Sequence, residues 1–109
     1  MTTPLETVRN IGPAMADALR LAGVGSAEAL VAMGADAAYL RLLNHGARPH
    51  FIAYYAMVMG LQGRPWNDAK GAEKAALRVR FDRLKADASP TTDTAFERLL
   101  DEIGVRPAR

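Results

Sequence analysis

Cysteine is absent from this 109-residue chain, which removes disulfide frameworks, thiolate metal sites, iron–sulfur clusters and a cysteine nucleophile together. Long apolar runs are also missing. The stretch Phe51 to Gln62, free of charge and proline, is shorter than the about 20 residues a bilayer-spanning helix needs. The start, Met1-Thr2-Thr3-Pro4-Leu5-Glu6, has no basic region followed by an apolar run, so no signal peptide, no membrane contact and a cytoplasmic protein are expected. Histidine is scarce: His45 and His50 stand across a Gly/Pro break with no carboxylate between them, and no metal site is expected. Neither a Gly-x-x-x-x-Gly-Lys phosphate loop, a dinucleotide fingerprint nor a serine in a nucleophile elbow occurs. Catalysis, a cofactor and a small-molecule substrate are therefore not expected.

What remains is an ordinary globular composition, 50% hydrophobic and 24% charged, at a length that suits one compact domain. The net charge of +2 is unevenly spread. Residues 1–63 carry four basic and four acidic side chains, whereas Arg64 to Lys85 hold seven basic groups against Asp68, Glu73 and Asp82, a local balance of +4.

Helix is the expected secondary structure throughout. Alanine occurs 21 times and leucine 12, against 15 for Val, Ile and Thr together, and no stretch alternates with period two. Thr3-Pro4-Leu5-Glu6 reads as a capping box opening a short helix over about Pro4–Arg9. Pro13 opens a second helix that Gly23 ends, and Ser26 caps a brief third that stops at Gly34. A fourth covers about Asp36–Leu43. The fifth starts at Pro49 and is apolar on all sides through Leu61, as suits a central buried helix. Asn67 or Asp68 caps the sixth, about Ala72–Ala86, with Leu77, Phe81 and Leu84 on one stripe. After Ser89-Pro90-Thr91-Thr92, a terminal helix over about Asp93–Ile103 presents Phe96, Leu99, Leu100 and Ile103 as an apolar face for a protein partner or a second copy. The expected organisation is a helical domain over 1–86 followed by linker, terminal helix and loose tail over 87–109.

Arg9-Asn10-Ile11-Gly12-Pro13-Ala14-Met15 joins a short helix to a second one through a tight Gly-containing turn, and it resembles a helix-hairpin-helix motif. Asn10 stands where the usual hairpin has another glycine; Asn tolerates the left-handed region. At the start of the second helix the amides of Ala14, Met15 and Ala16 lack helical partners and carry the positive end of the helix dipole, an arrangement that accepts phosphate without a basic side chain. The plainer reading is that any helical hairpin needs such a connection.

The ordered series Asn10-Ile11-Gly12-Pro13, Leu19-x-x-Ala22-Gly23-Val24, Met33-Gly34-Ala35 with Ala38-Tyr39-Leu40, and Tyr55-Ala56 with Gly60-Leu61-Gln62-Gly63-Arg64-Pro65-Trp66 resembles the C-terminal domain of the TfoX/Sxy competence regulators over about residues 5–86. The resemblance implies an all-α, SAM-like small multi-helix domain of helix-hairpin-helix type, here with an extra C-terminal helix. It also implies work in bacterial competence, where full-length members promote transcription of DNA-uptake genes together with the cyclic-AMP receptor protein. The family's N-terminal domain does not precede the hairpin, so a stand-alone version is expected.

Two residue sets are therefore candidates for DNA-backbone contact: Arg9, Asn10, Gly12, Ala14 and Met15 at the turn, and Lys70, Lys74, Arg78 and Lys85 in the basic segment. On a helix Lys74, Arg78 and Lys85 fall within roughly 40° of one another. Such a ridge also suits a solvated face paired with Asp93, Glu97, Asp101 or Glu102. Trp66 offers a ring for base stacking or a hydrophobic staple across the helix start. Tyr54, Tyr55, Met57 and Met59 are expected in the core. The expected function is a non-enzymatic regulatory module bound to DNA; the competing one is a protein-interaction domain in which the turn only connects helices.

Overall fold

Pro13, with its missing N–H and fixed φ, begins α1 (Pro13–Leu21), which Gly23 leaves at φ 90°. Ser26 begins α2 (Ala27–Met33) by accepting the Ala29 amide on its hydroxyl at 3.1 Å. Gly34, at φ 87°, is at once the end of α2 and the start of α3 (Ala35–Asn44), a corner that a residue with a β-carbon would strain. α4 (Phe51–Leu61) and α5 (Gly71–Asp87) follow, with short 3-10 turns at Leu5–Thr7 and Trp66–Asp68. The computed structural model describes residues 2–89, and among them the fold is all-α, without a strand. The expected terminal helix, with Phe96, Leu99, Leu100 and Ile103, lies outside the described residues.

Three expectations about helix starts are corrected. The first segment is a 3-10 turn rather than a helix over Pro4–Arg9, because the two halves of its capping box have other partners. Thr3 gives its amide and hydroxyl to the Glu28 carboxylate at 2.8 and 2.6 Å, and Glu6 pairs with Arg20. α4 starts at Phe51, not Pro49. The Tyr39 hydroxyl accepts the His50 amide at 2.7 Å and donates to the His50 carbonyl at 3.2 Å, which fixes His50 in extended geometry just before the helix. Neither Asn67 nor Asp68 caps α5: both sit in the second 3-10 turn, Asp68 pairs with Arg64 at 3.2 Å, and Lys70 precedes the helix without a side-chain cap.

α4 is central, as its uniform apolarity predicts: Tyr54, Tyr55, Met57, Val58, Met59 and Gly60 are buried. Around Phe81 of α5 the rings of Phe51, Tyr54 and Tyr39 gather with centroids 5.3, 5.8 and 5.9 Å away. The expected Leu77, Phe81 and Leu84 stripe is the buried side of α5. Removing the Phe81 ring from such a site costs about 3–5 kcal/mol. An ion pair fastens the same helix to α3, with Arg80 reaching both carboxylate oxygens of Asp36 at 2.6 and 3.0 Å while the Tyr54 hydroxyl donates to Asp36 at 2.6 Å. Burial pushes the Asp36 carboxyl up, but the bonds from Arg80 and Tyr54 outweigh it and the net shift is downward.

Candidate nucleic-acid interface

Asn10, not Gly12, carries the left-handed conformation of the hairpin turn, at φ 69°. Its side-chain amide donates to two carbonyls at 3.0 Å each, Ala56 of α4 and Arg64 of the following loop. The adjacent Arg9 carbonyl lies so close to Gly60 that a β-carbon there would collide with it. The underside of the turn is thus bolted to the C-terminal half of α4.

Its outer side is open. Gly12 is exposed at φ −89° and ψ 177°, geometry available to any residue, and a β-carbon on it would meet nothing within 4 Å. Beyond Pro13, the amides of Ala14 and Met15 make no hydrogen bond among the described residues, whereas Ala16, expected to be free as well, donates to the Gly12 carbonyl at 3.0 Å. Arg9 is exposed and makes no ion pair among the described residues.

In the basic segment Lys74, Arg78 and Lys85 share one exposed side of α5, each over an aromatic face. Lys74 lies 5.6 Å from the Tyr55 centroid, Arg78 5.1 Å from Phe51 and 5.5 Å from Phe81, and Lys85 5.0 Å from Phe81. Asp82 takes both Arg78 and Lys85 at 3.2 Å, and the hydrogen bond from Lys85 does most to hold its carboxyl below the ordinary range. Lys70 and Lys74 meet no carboxylate among the described residues. No bond joins the turn to this ridge directly. Arg64 links them: its carbonyl accepts from Asn10, and its guanidinium holds Glu73, in the first turn of α5, through two bonds of 2.8 Å. Trp66 leans on Tyr55, ring centroids 6.5 Å apart and planes at 27°, and remains 48% exposed.

Two features escaped the sequence. Arg64 looked like one of seven cations; its position between Gly63 and Pro65, where a turn brings the backbone back across α4, was the available signal of a structural role. The other is an open, largely apolar groove of about 370 Å³ between α1, α3 and α4, with Met15, Ala18, Leu42 and Ala53 on its walls and Arg48 and His50 at its rim. The side chains of Ala14 and Met15 line this groove while their amides face the helix end, and assembly from three distant segments leaves no local pattern to read. Among the described residues no three His, Asp or Glu side chains gather to hold a metal ion, and no helix is long and apolar enough to cross a membrane.

Compared with known proteins, residues 1–81 match the model of the TfoX C-terminal domain, a non-catalytic family of regulatory type. No curated protein and no solved structure matches the chain. A match that takes in the hairpin, all of α1 to α4 and α5 as far as Phe81 agrees with the all-α architecture, and the chain belongs to the TfoX C-terminal domain family.

Proposed function

We propose that this domain is a non-enzymatic regulatory module that binds the phosphate backbone of DNA, with α1's first turn as the anion seat and the cations nearest to it as the electrostatic support. The observation that carries this reading is the outward side of the hairpin: an open Gly12 and, among the described residues, two amides without partners and an Arg9 without a carboxylate. Lys70 and Lys74, which also meet no carboxylate among the described residues, extend the positive surface from the helix that Arg64 ties to the turn. Contacts of this kind read the backbone and not the bases, so sequence preference is weak, and the domain acts in competence or transcription regulation, in the cytoplasm.

Fluorescence anisotropy of labelled duplex and single-stranded DNA, at low and physiological salt, tests it. Three phosphates neutralised by Arg9, Lys70 and Lys74 give a log–log salt slope of about −2.7, and Lys70→Glu with Lys74→Glu lowers its magnitude by about 1.8. Gly12→Val fills the open side without asking for a forbidden backbone geometry, and weakens binding while a urea titration shows the fold intact. No anisotropy rise at low salt refutes the reading. The second reading, a protein-interaction domain, is favoured by the apolar groove beside α1.

A further inference from the structure

The groove between α1, α3 and α4 keeps apolar side chains in contact with water, and Met15, Ala18 and Ala53 on its walls are only partly covered. Its rim holds Arg48, exposed and without an ion pair among the described residues. The described chain finishes at the end of a helix that forms one of its walls. After α5 ends at Asp87, the Ser89 amide donates to the Asn44 side-chain oxygen at 2.8 Å, and Asn44 is the last residue of α3, two positions beyond the wall residue Leu42. From that point residues 90–95 reach at most about 20 Å when extended. The next residues are Phe96, Leu99, Leu100 and Ile103, at the i, i+3, i+4, i+7 spacing of one helical face, with Asp93, Glu97 and Asp101 four apart along its flank.

We propose that this groove is the seat of the chain's own C-terminal segment, Phe96, Leu99, Leu100 and Ile103 filling it while Glu97 or Asp101 meets Arg48. Three observations favour this occupant over a separate partner. The tether begins at the end of α3, which forms one wall, residues 90–95 supply up to about 20 Å of reach from there, and the segment is acidic, four carboxylates against Arg98 alone over 93–102, where the rim carries Arg48. A short tether raises the local concentration of the segment to the millimolar range, so a weak contact suffices and a second copy is outcompeted at ordinary protein concentrations. The proposal stands independently of DNA binding.

The absence of cysteine makes the test direct in the full chain. Arg98→Cys, on the side opposite the apolar residues in a helical projection, takes a nitroxide spin label, and methyl signals report its proximity. Met15, Ala18 and Ala53 methyls lose most of their intensity in the labelled chain, and recover when Leu99→Asp and Leu100→Asp are added to it; Arg48→Glu gives a partial recovery. A sample mixing spin-labelled, isotopically silent chains with isotopically labelled, unlabelled-spin chains shows no loss. Unattenuated methyls overturn the proposal, as does attenuation that survives the two aspartates, which marks mere tethering. Attenuation seen in the mixed sample overturns it in favour of a second copy.

Discussion

Replacing Asn10 tests whether the hairpin turn is held by a side chain or by backbone geometry alone. The native residue does two things at once: it adopts φ 69°, and its amide closes two bonds of 3.0 Å onto Ala56 and Arg64. Asn10→Gly keeps the conformation and deletes the bonds. At about 1 kcal/mol for each hydrogen bond, with a further ~0.5–1 kcal/mol for glycine's freedom in the unfolded chain, the loss is about 2–3 kcal/mol. Asn10→Ala deletes the same bonds and forces a β-carbon into the left-handed region, which adds about 1–2 kcal/mol of strain in place of the glycine entropy. Alanine therefore ranks below glycine, the reverse of their order in a helix. With an m-value of about 1–2 kcal/mol/M in urea, Asn10→Gly moves the unfolding midpoint down by about 1–3 M at unchanged m. A midpoint for Asn10→Gly within error of the parent chain refutes the clamp. An Asn10→Ala variant more stable than Asn10→Gly refutes the conformational part.

Gly60→Ala drives a β-carbon into the Arg9 carbonyl, a backbone atom that cannot swing away, and destabilises the chain by more than the about 1–3 kcal/mol of ordinary overpacking, measurable by thermal melt. For Asp36 the folded pKa lies below the ordinary carboxylate value of 3.8, so the unfolded chain binds more protons as pH falls through that value. Stability from this group is present above about pH 4 and disappears as pH drops through the folded pKa; Asp36→Asn flattens that part of a urea-midpoint profile, and an unchanged profile contradicts the assignment. Arg64→Ala keeps the carbonyl that Asn10 holds but deletes the guanidinium's bonds to Glu73 and Asp68, and it lowers the urea midpoint; no loss means the loop holds without them.

Helices whose ends are set by their own residues were legible: Pro13 and Gly23 bracket α1, Ser26 and Gly34 bracket α2, and the apolar face of Leu77, Phe81 and Leu84 located the buried side of α5. Starts decided by a distant partner were not. Thr3 forgoes its capping role because Glu28 lies across from it, and α4 starts after His50 rather than at Pro49 because Tyr39, eleven positions before His50, takes both backbone groups of His50. The same division runs through the candidate site. The exposed start of α1 follows from Gly12-Pro13, but which residue would bear the positive φ depended on where Ala56 and Arg64 come to lie. The cationic side of α5 followed from helical spacing, whereas the aromatic faces beneath it come from α4 as well as α5.

Those rings alter what the cations offer an anionic partner. A lysine or arginine waving in water loses about 0.5–1.5 kcal/mol of rotamer freedom when a partner immobilises it. Lys74, Arg78 and Lys85 instead rest their charged ends on Tyr55, Phe51 and Phe81, which narrows their excursions while leaving their formal charge uncancelled by the ring. Lys74 faces no carboxylate among the described residues. This flank of α5 is a positive surface whose shape is partly fixed before anything binds, so an anion docking there orders fewer side chains than the count of cations suggests.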